Sequence, residues 1–160
     1  MKKIILIISM ALVILIQVFV LAQYFVNRYS IVLGGDKFRF LVSDLDLRHA
    51  RDDGYIDIEL KKEIGGKGDY GIIHIDENGF AEFDHVALQK PNFGAYIKSS
   101  LDDYFYFPIE RYYIDFNIEY DNALTLPEEY NAYINVRIKD GKIELMNLLI
   151  DGQPVEKYCK

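Results

Sequence analysis

The sequence predicts a mainly β protein in which one N-terminal transmembrane helix precedes a small antiparallel domain, barrel- or sandwich-like, with one short helix. Three observations predict it. Residues 4–22 are apolar apart from Ser9 and Gln17. Four later segments alternate apolar and polar residues with a period of two, the mark of half-buried strands. Asn78-Gly79 and Asp140-Gly141 each separate two strand-like segments, and both dipeptides accept the positive φ angles of a tight hairpin turn.

The elements follow in order. As a helix, residues 4–22 reach about 28 Å, close to the ~30 Å hydrocarbon core of a bilayer. Val20-Leu21-Ala22 fits a cleavage site, but the run is longer than the ~7–15 apolar residues of a signal peptide, which argues for a permanent anchor. Lys2 and Lys3 before it favour a cytoplasmic N-terminus (residues 1–3) and an exported remainder. Residues 23–36 read as a juxtamembrane linker in which residues 23–30 can prolong the helix until Gly34-Gly35-Asp36 breaks it. Residues 37–158 form the exported β-rich domain. Its strand cores are Phe38/Phe40/Val42, Ile56/Ile58/Leu60, Ile114/Phe116/Ile118 and Ile134/Val136/Ile138. The hairpins join 72–76 to 80–88 and 134–139 to 142–149. Gly65-Gly66-Lys67-Gly68 reads as a flexible loop, and Thr125-Leu126-Pro127-Glu128-Glu129 as the start of the short helix.

Charge narrows the partners. All 25 acidic residues lie beyond the anchor, against 16 basic ones (18 less Lys2 and Lys3), so the exported part carries −9. That excludes nucleic acid and argues against an anionic lipid surface. Cys159 is the one cysteine, so no disulfide closes within the chain. No dinucleotide fingerprint, phosphate loop or nucleophile elbow occurs, neither Ser43 nor Ser99-Ser100 has a nucleophile's surroundings, and no cofactor is expected.

Three constellations remain. Asp44, Asp46, His49, Asp52 and Asp53 offer oxygens and an imidazole to a divalent cation. A solvated loop whose acids pair Arg48 and Arg51 is the plainer reading, and no metal is expected. His74 and His85, on opposite arms of the first hairpin, are a weaker metal signal. Aromatic residues crowd 93–120, where Tyr104 and Tyr106 should face opposite to Phe105 and Phe107. Tyr104, Tyr106, Tyr112 and Tyr113 are the candidates for binding a partner, because tyrosine joins apolar contact area to a polar tip.

The segment from Asp46-Leu47-Arg48 through Asp53-Gly54-Tyr55-Ile56-Asp57-Ile58-Glu59-Leu60 resembles the motif region of the GDYXXLXY family. Asp46, Arg48 and Tyr55 match at the family spacing, while Leu47, Asp53-Gly54, Ile58 and Leu60 depart from it. Residues 31–40, Ile109-Glu110-Arg111-Tyr112-Tyr113 and the terminal hairpin 135–152 resemble further family segments, in the same order. The resemblance implies a membrane-anchored bacterial protein, from a family of unknown biochemical function in which some members accompany larger integral membrane proteins. In the Asp46/Arg48/Tyr55 trio, Arg48 is expected to be held by Asp46 and stacked on Tyr55; the alternative is an Arg48 that binds a carboxylate, a phosphate or a polar group on a partner. Glu110 and Arg111 are expected to clamp beside the aromatics. The function read from the sequence is a non-enzymatic, membrane-tethered accessory domain; the alternative is a small-ligand or metal-binding domain centred on residues 44–53, hydrolytic in its strongest form.

Overall fold

A computed structural model describes residues 2–50, 53–62, 64–99, 103–114 and 126–158. Helix α1 (Lys2–Gly34) comprises 33 residues, about 50 Å of helix at 1.5 Å per residue. It is the one helix among the described residues long and apolar enough to cross a membrane. It continues through residues 23–34 and stops at Gly35, whose N–H donates to the Ile31 carbonyl at 2.8 Å. A Cβ at Gly35 would lie 2.6 Å from that carbonyl and 3.1 Å from the Ile138 carbonyl, so the sharp exit admits only glycine.

Eleven strands follow among the described residues. They are β1 (Asp36–Asp46), β2 (Tyr55–Leu60), β3 (Gly66–Lys67), β4 (Tyr70–Ile75), β5 (Ala81–Ala87), β6 (Ala95–Lys98), β7 (Tyr104–Phe105), β8 (Arg111–Tyr113), β9 (Ala132–Lys139), β10 (Lys142–Ile150) and β11 (Gln153–Pro154). Six form an antiparallel sheet in the order β11-β10-β9-β1-β2-β8, which curls into a half-barrel until β8 approaches β10. Curling brings the Tyr112 hydroxyl of edge strand β8 to the Glu156 carboxylate. A second antiparallel sheet, β5-β4-β6, is tied to the first by a parallel bridge from Ile97 to Gly141. Strands β3 and β7 pair alone, so the glycine-rich stretch expected to be a free loop carries a short strand.

Alternation positions the core. In β9 Ala132, Ile134, Val136 and Ile138 are buried and the residues between them are half-buried. In β2 the buried set is Ile56, Ile58 and Leu60. Strand β1 follows its expected parity through Phe40 and Val42, then changes it. One extra residue sits between the pairs Val42–Leu60 and Asp44–Glu59, so Leu45 turns inward. Ser43 occupies this bulge, its hydroxyl donating to the Glu59 carbonyl. Phe83 joins the sheets through ring contacts to Phe40 (5.6 Å), Phe105 (5.3 Å) and Phe107 (5.8 Å). Gly71 makes room for Phe105, because a Cβ there would meet that ring at 2.3 Å.

The turns differ in kind. Asp140 (φ 51°) and Gly141 (φ 77°) form the expected two-residue hairpin between β9 and β10. Asp151 (φ 48°) and Gly152 (φ 79°) repeat it between β10 and β11. The Asn78-Gly79 hairpin is longer, and there only Gly79 has positive φ. Its loop closes on Asp76, whose carboxylate accepts from the N–H groups of Phe80 (2.7 Å) and Asn78 (2.9 Å). Those bonds, the one from Phe80 foremost, lower its pKa. Residues 126–131 carry no helix; the proline and two acids there start no hydrogen-bonded turn, and the short helix is instead the 3-10 turn Val155–Tyr158. Thr125, Cys159 and residues 115–119 of the strand expected around Ile114, Phe116 and Ile118 lie outside the described residues.

Helix and domain are joined without slack. Ile31 is buried, the Arg28 guanidinium pairs with Glu144 at 2.6 Å, the Lys139 ammonium donates to the Ser30 hydroxyl at 2.7 Å, and Arg137 donates to the Gly35 carbonyl at 2.8 Å.

Gly71→Ala in the full-length protein is expected to lower stability by about 1–3 kcal/mol, since Phe105 is fully buried and has no free volume to move into. Denaturant unfolding in detergent micelles checks this, and an unchanged midpoint contradicts the packing described.

Candidate functional site

The loop after β1 is built by short-range bonds. The Ala50 N–H reaches the Leu47 carbonyl and the Asp53 N–H the His49 carbonyl, both at 3.0 Å, and Gly54 (φ 70°) turns the chain into β2. Arg48 grips Asp46 through Nε, at 2.9 and 2.8 Å to the two oxygens, and through Nη2. These bonds hold the Asp46 carboxyl down to about 2. The pair stands in solvent, with the Arg48 side chain 82% exposed.

The stack expected on Tyr55 forms with other residues. His49 lies nearly parallel to the Tyr55 ring at 4.9 Å, and the Arg111 guanidinium lies over it at 4.4 Å. Strand register explains the substitution. Asp57 pairs with Arg111 and Tyr55 with Tyr113 across β2 and β8, so Arg111 reaches Asp57 (3.2 Å) and Tyr55 from the same face. Arg48, beyond the end of the strand, bonds to Asp46. Glu110 does not clamp Arg111 either; its carbonyl accepts from the Ile58 N–H at 2.8 Å, while Arg111 pairs with Asp57. Ile58 and Leu60 are core residues.

The metal candidates disperse. Asp44 accepts from the Leu45 N–H, Asp46 holds Arg48, and His49 Nδ1 lies 2.7 Å from Asp53. Among the described residues no three His, Cys, Asp or Glu side chains gather; Asp52 and Arg51 lie outside them. His74 turns to Glu82 (3.7 Å) and His85 to Asp84 (2.8 Å). The buried Ser99 hydroxyl donates to the Tyr104 carbonyl at 2.8 Å, and Ser100 lies outside the described residues.

The tyrosines fall into separate groups. Phe105 and Phe107 are buried, while Tyr104 and Tyr106 face outward and pack on each other with ring centroids 4.6 Å apart. Tyr113 is 66% exposed and rests against Tyr55, whereas Tyr112 is half-buried and bonded to Glu156. Phe116 and Tyr120 lie outside the described residues.

Two clefts flank the foot of α1. One, of about 830 Å³, runs between Tyr24 and Arg28 of the helix and a wall made of residues 108–113 and 143–146. It brings Glu110, Arg111, Tyr112 and Tyr113 beside the helix. The other, of about 650 Å³, is lined by residues from β1, β9 and β10 and by Ile75 and Gly79 of the first hairpin. Neither is lined by the acidic loop. Helical spacing marks a different surface, on the side of α1 turned away from the domain: Phe25, Val26, Tyr29 and Leu33 share an arc of about 100° opposite Ile31. All four are exposed. The chain matches no protein-family model, and no curated protein or solved structure is significantly similar to it.

Because folding lowers the Asp46 pKa, the pair's contribution is present above the ordinary carboxylate value of 3.8 and disappears as pH falls through about 2. Carbon-detected NMR titration is expected to find that low midpoint, and Arg48→Ala to raise it only part of the way to the ordinary value, because the backbone N–H of residue 48 still donates to the carboxylate at 3.0 Å. Solvent screening makes the pair weak, so the same variant is expected to leave the unfolding midpoint unchanged.

Proposed function

We propose that this chain is a membrane-tethered, non-enzymatic accessory domain that binds or steadies an integral membrane protein. In this reading α1 anchors it in a bacterial cytoplasmic membrane, with the N-terminus inside and the β domain outside. One observation carries the proposal. If residues 4–22 fill the hydrocarbon layer, residues 23–34 rise about 18 Å beyond it. Over that height Phe25, Val26, Tyr29 and Leu33 present an uncovered apolar face, while the opposite side is fixed to the domain through Arg28, Ser30 and Ile31. An upright helix holds Phe25 and Val26 at the headgroup level and carries Tyr29 and Leu33 past it, where a helix of a neighbouring membrane protein covers them best.

The resemblance to the GDYXXLXY family supports the same reading. The segments that carry it, 31–40, 46–60, 109–113 and 135–152, fall on the end of α1, the loop after β1 and the strands of the half-barrel sheet. Tyr104, Tyr106 and Tyr113 offer further aromatic contact area on the domain.

A photocrosslinking residue at position 29 in native membranes is expected to yield one protein adduct of discrete size. Tyr29→Ser with Leu33→Ser is expected to weaken capture at least tenfold without changing the unfolding midpoint. Lipid adducts alone would mean that the helix tilts and the bilayer covers this face, which sinks the partner reading.

A further inference from the structure

We propose that the cleft over β1, β9 and β10 is a binding site for a phosphate group. Register assembles it. Lys37 lies opposite Arg137 and Arg39 opposite Asn135 across β1 and β9, and Asn135 lies opposite Asn147 across β9 and β10. Directly paired residues of an antiparallel sheet project from the same face, so three cations and two amides adjoin one another. All five line the one cleft, and no carboxylate lines it with them.

The charge there is unneutralised. Like charges directly opposite one another destabilise a sheet, and Lys37 faces Arg137. In a chain with 25 acidic and 18 basic residues, acids to offset such a cluster are plentiful. Yet among the described residues none of Lys37, Arg39 and Arg137 makes an ion pair. The nearest carboxylate by register is Glu144, opposite Arg137, and Arg28 of the helix holds it at 2.6 Å.

The donors are also positioned in advance. Arg137 is held by its bond to the Gly35 carbonyl (2.8 Å), and Arg39 lies over the rings of Phe80 (5.4 Å) and Tyr133 (6.0 Å). Asn135 donates its amide to the Asn147 oxygen at 2.8 Å, which leaves the Asn147 amide nitrogen as a donor. Two planar guanidiniums and an ammonium match the roughly −1.5 to −2 charge and three oxygens of a phosphomonoester better than the single charge of a carboxylate. A volume of about 650 Å³ accepts a phosphate with an organic group attached, and Ile75 and Met146 supply apolar wall for that group. The phosphate can belong to a soluble compound, or to a lipid headgroup if the helix tilts to bring the cleft down.

The test uses the full-length protein in nanodiscs and calorimetric titration with inorganic phosphate and pyrophosphate. In zwitterionic phosphatidylcholine discs, saturable binding is expected for at least one of the two. Lys37→Gln and Arg39→Gln are each expected to weaken it at least tenfold, and Lys157→Gln, outside the cleft, to leave it unchanged. Arg137→Gln also disturbs the helix exit, so the first two variants carry the test. Discs containing phosphatidic acid, a lipid phosphomonoester, separate the sources: blocked pyrophosphate binding assigns the site to a lipid headgroup, and unchanged binding to a soluble phosphate. The proposal is overturned if neither anion nor phosphatidic acid binds saturably, or if Lys157→Gln weakens binding as much as the cleft variants.

Discussion

At Gly35 a helix that satisfies its own hydrogen bonds gives way to a sheet that needs partners. The last turn of any helix leaves carbonyls without intrahelical donors. Here the Ile31 carbonyl takes the Gly35 N–H and the Gly35 carbonyl takes Arg137, with Lys139 on the Ser30 hydroxyl beside them. Two cations at a helix C-terminus also oppose its partial negative charge. Strand β1 begins at the next residue, and Asp36 pairs at once with Ile138 of β9. No slack remains, and the direction of the helix is set by the sheet.

Much of the molecule depends on that junction. The cations that close it come from the outward face of β9, so that face cannot be acidic, and the same alternation that buries Ile134, Val136 and Ile138 presents Asn135, Arg137 and Lys139 outside. The Arg28–Glu144 pair removes the one carboxylate that register places against Arg137. On the far side of the helix, Phe25, Val26, Tyr29 and Leu33 are turned away from the domain at a fixed angle. A mobile linker would let those side chains find cover anywhere; a fixed one commits them to a single direction.

Period-two alternation was enough to read β2 and β9, because those strands bury one face, and Asp140-Gly141 placed β10 after β9; β10 itself shifts register between Leu145 and Asn147, which the sequence pattern does not reveal. The β1 bulge was not legible, since one extra residue at Ser43 is defined only by its partner strand. Thr125-Leu126-Pro127-Glu128-Glu129 carries helix-start signals, yet residues 126–131 form no helix, because capping preferences alone do not nucleate one; Leu126 and Tyr130 pack against the core without it. The polar loop was visible as a cluster in sequence but its contacts were not. Tyr55 receives Arg111, 56 positions away, through cross-strand pairing that no local reading reveals. The basic cleft was hidden for the same reason: Lys37, Arg39, Arg137 and the two asparagines become neighbours only when β1, β9 and β10 pair, and the −9 of the chain beyond residue 22 masks them.

The rigid union of helix and domain is tested most directly by a spin-label distance. With Cys159→Ser, labels at Gln23→Cys on α1 and Asp84→Cys on β5 report the angle between helix and domain by pulsed electron resonance in nanodiscs. The account predicts one narrow distance distribution, the same in detergent as in lipid. A broad or multiple distribution would show the domain swinging on its anchor and contradict the account.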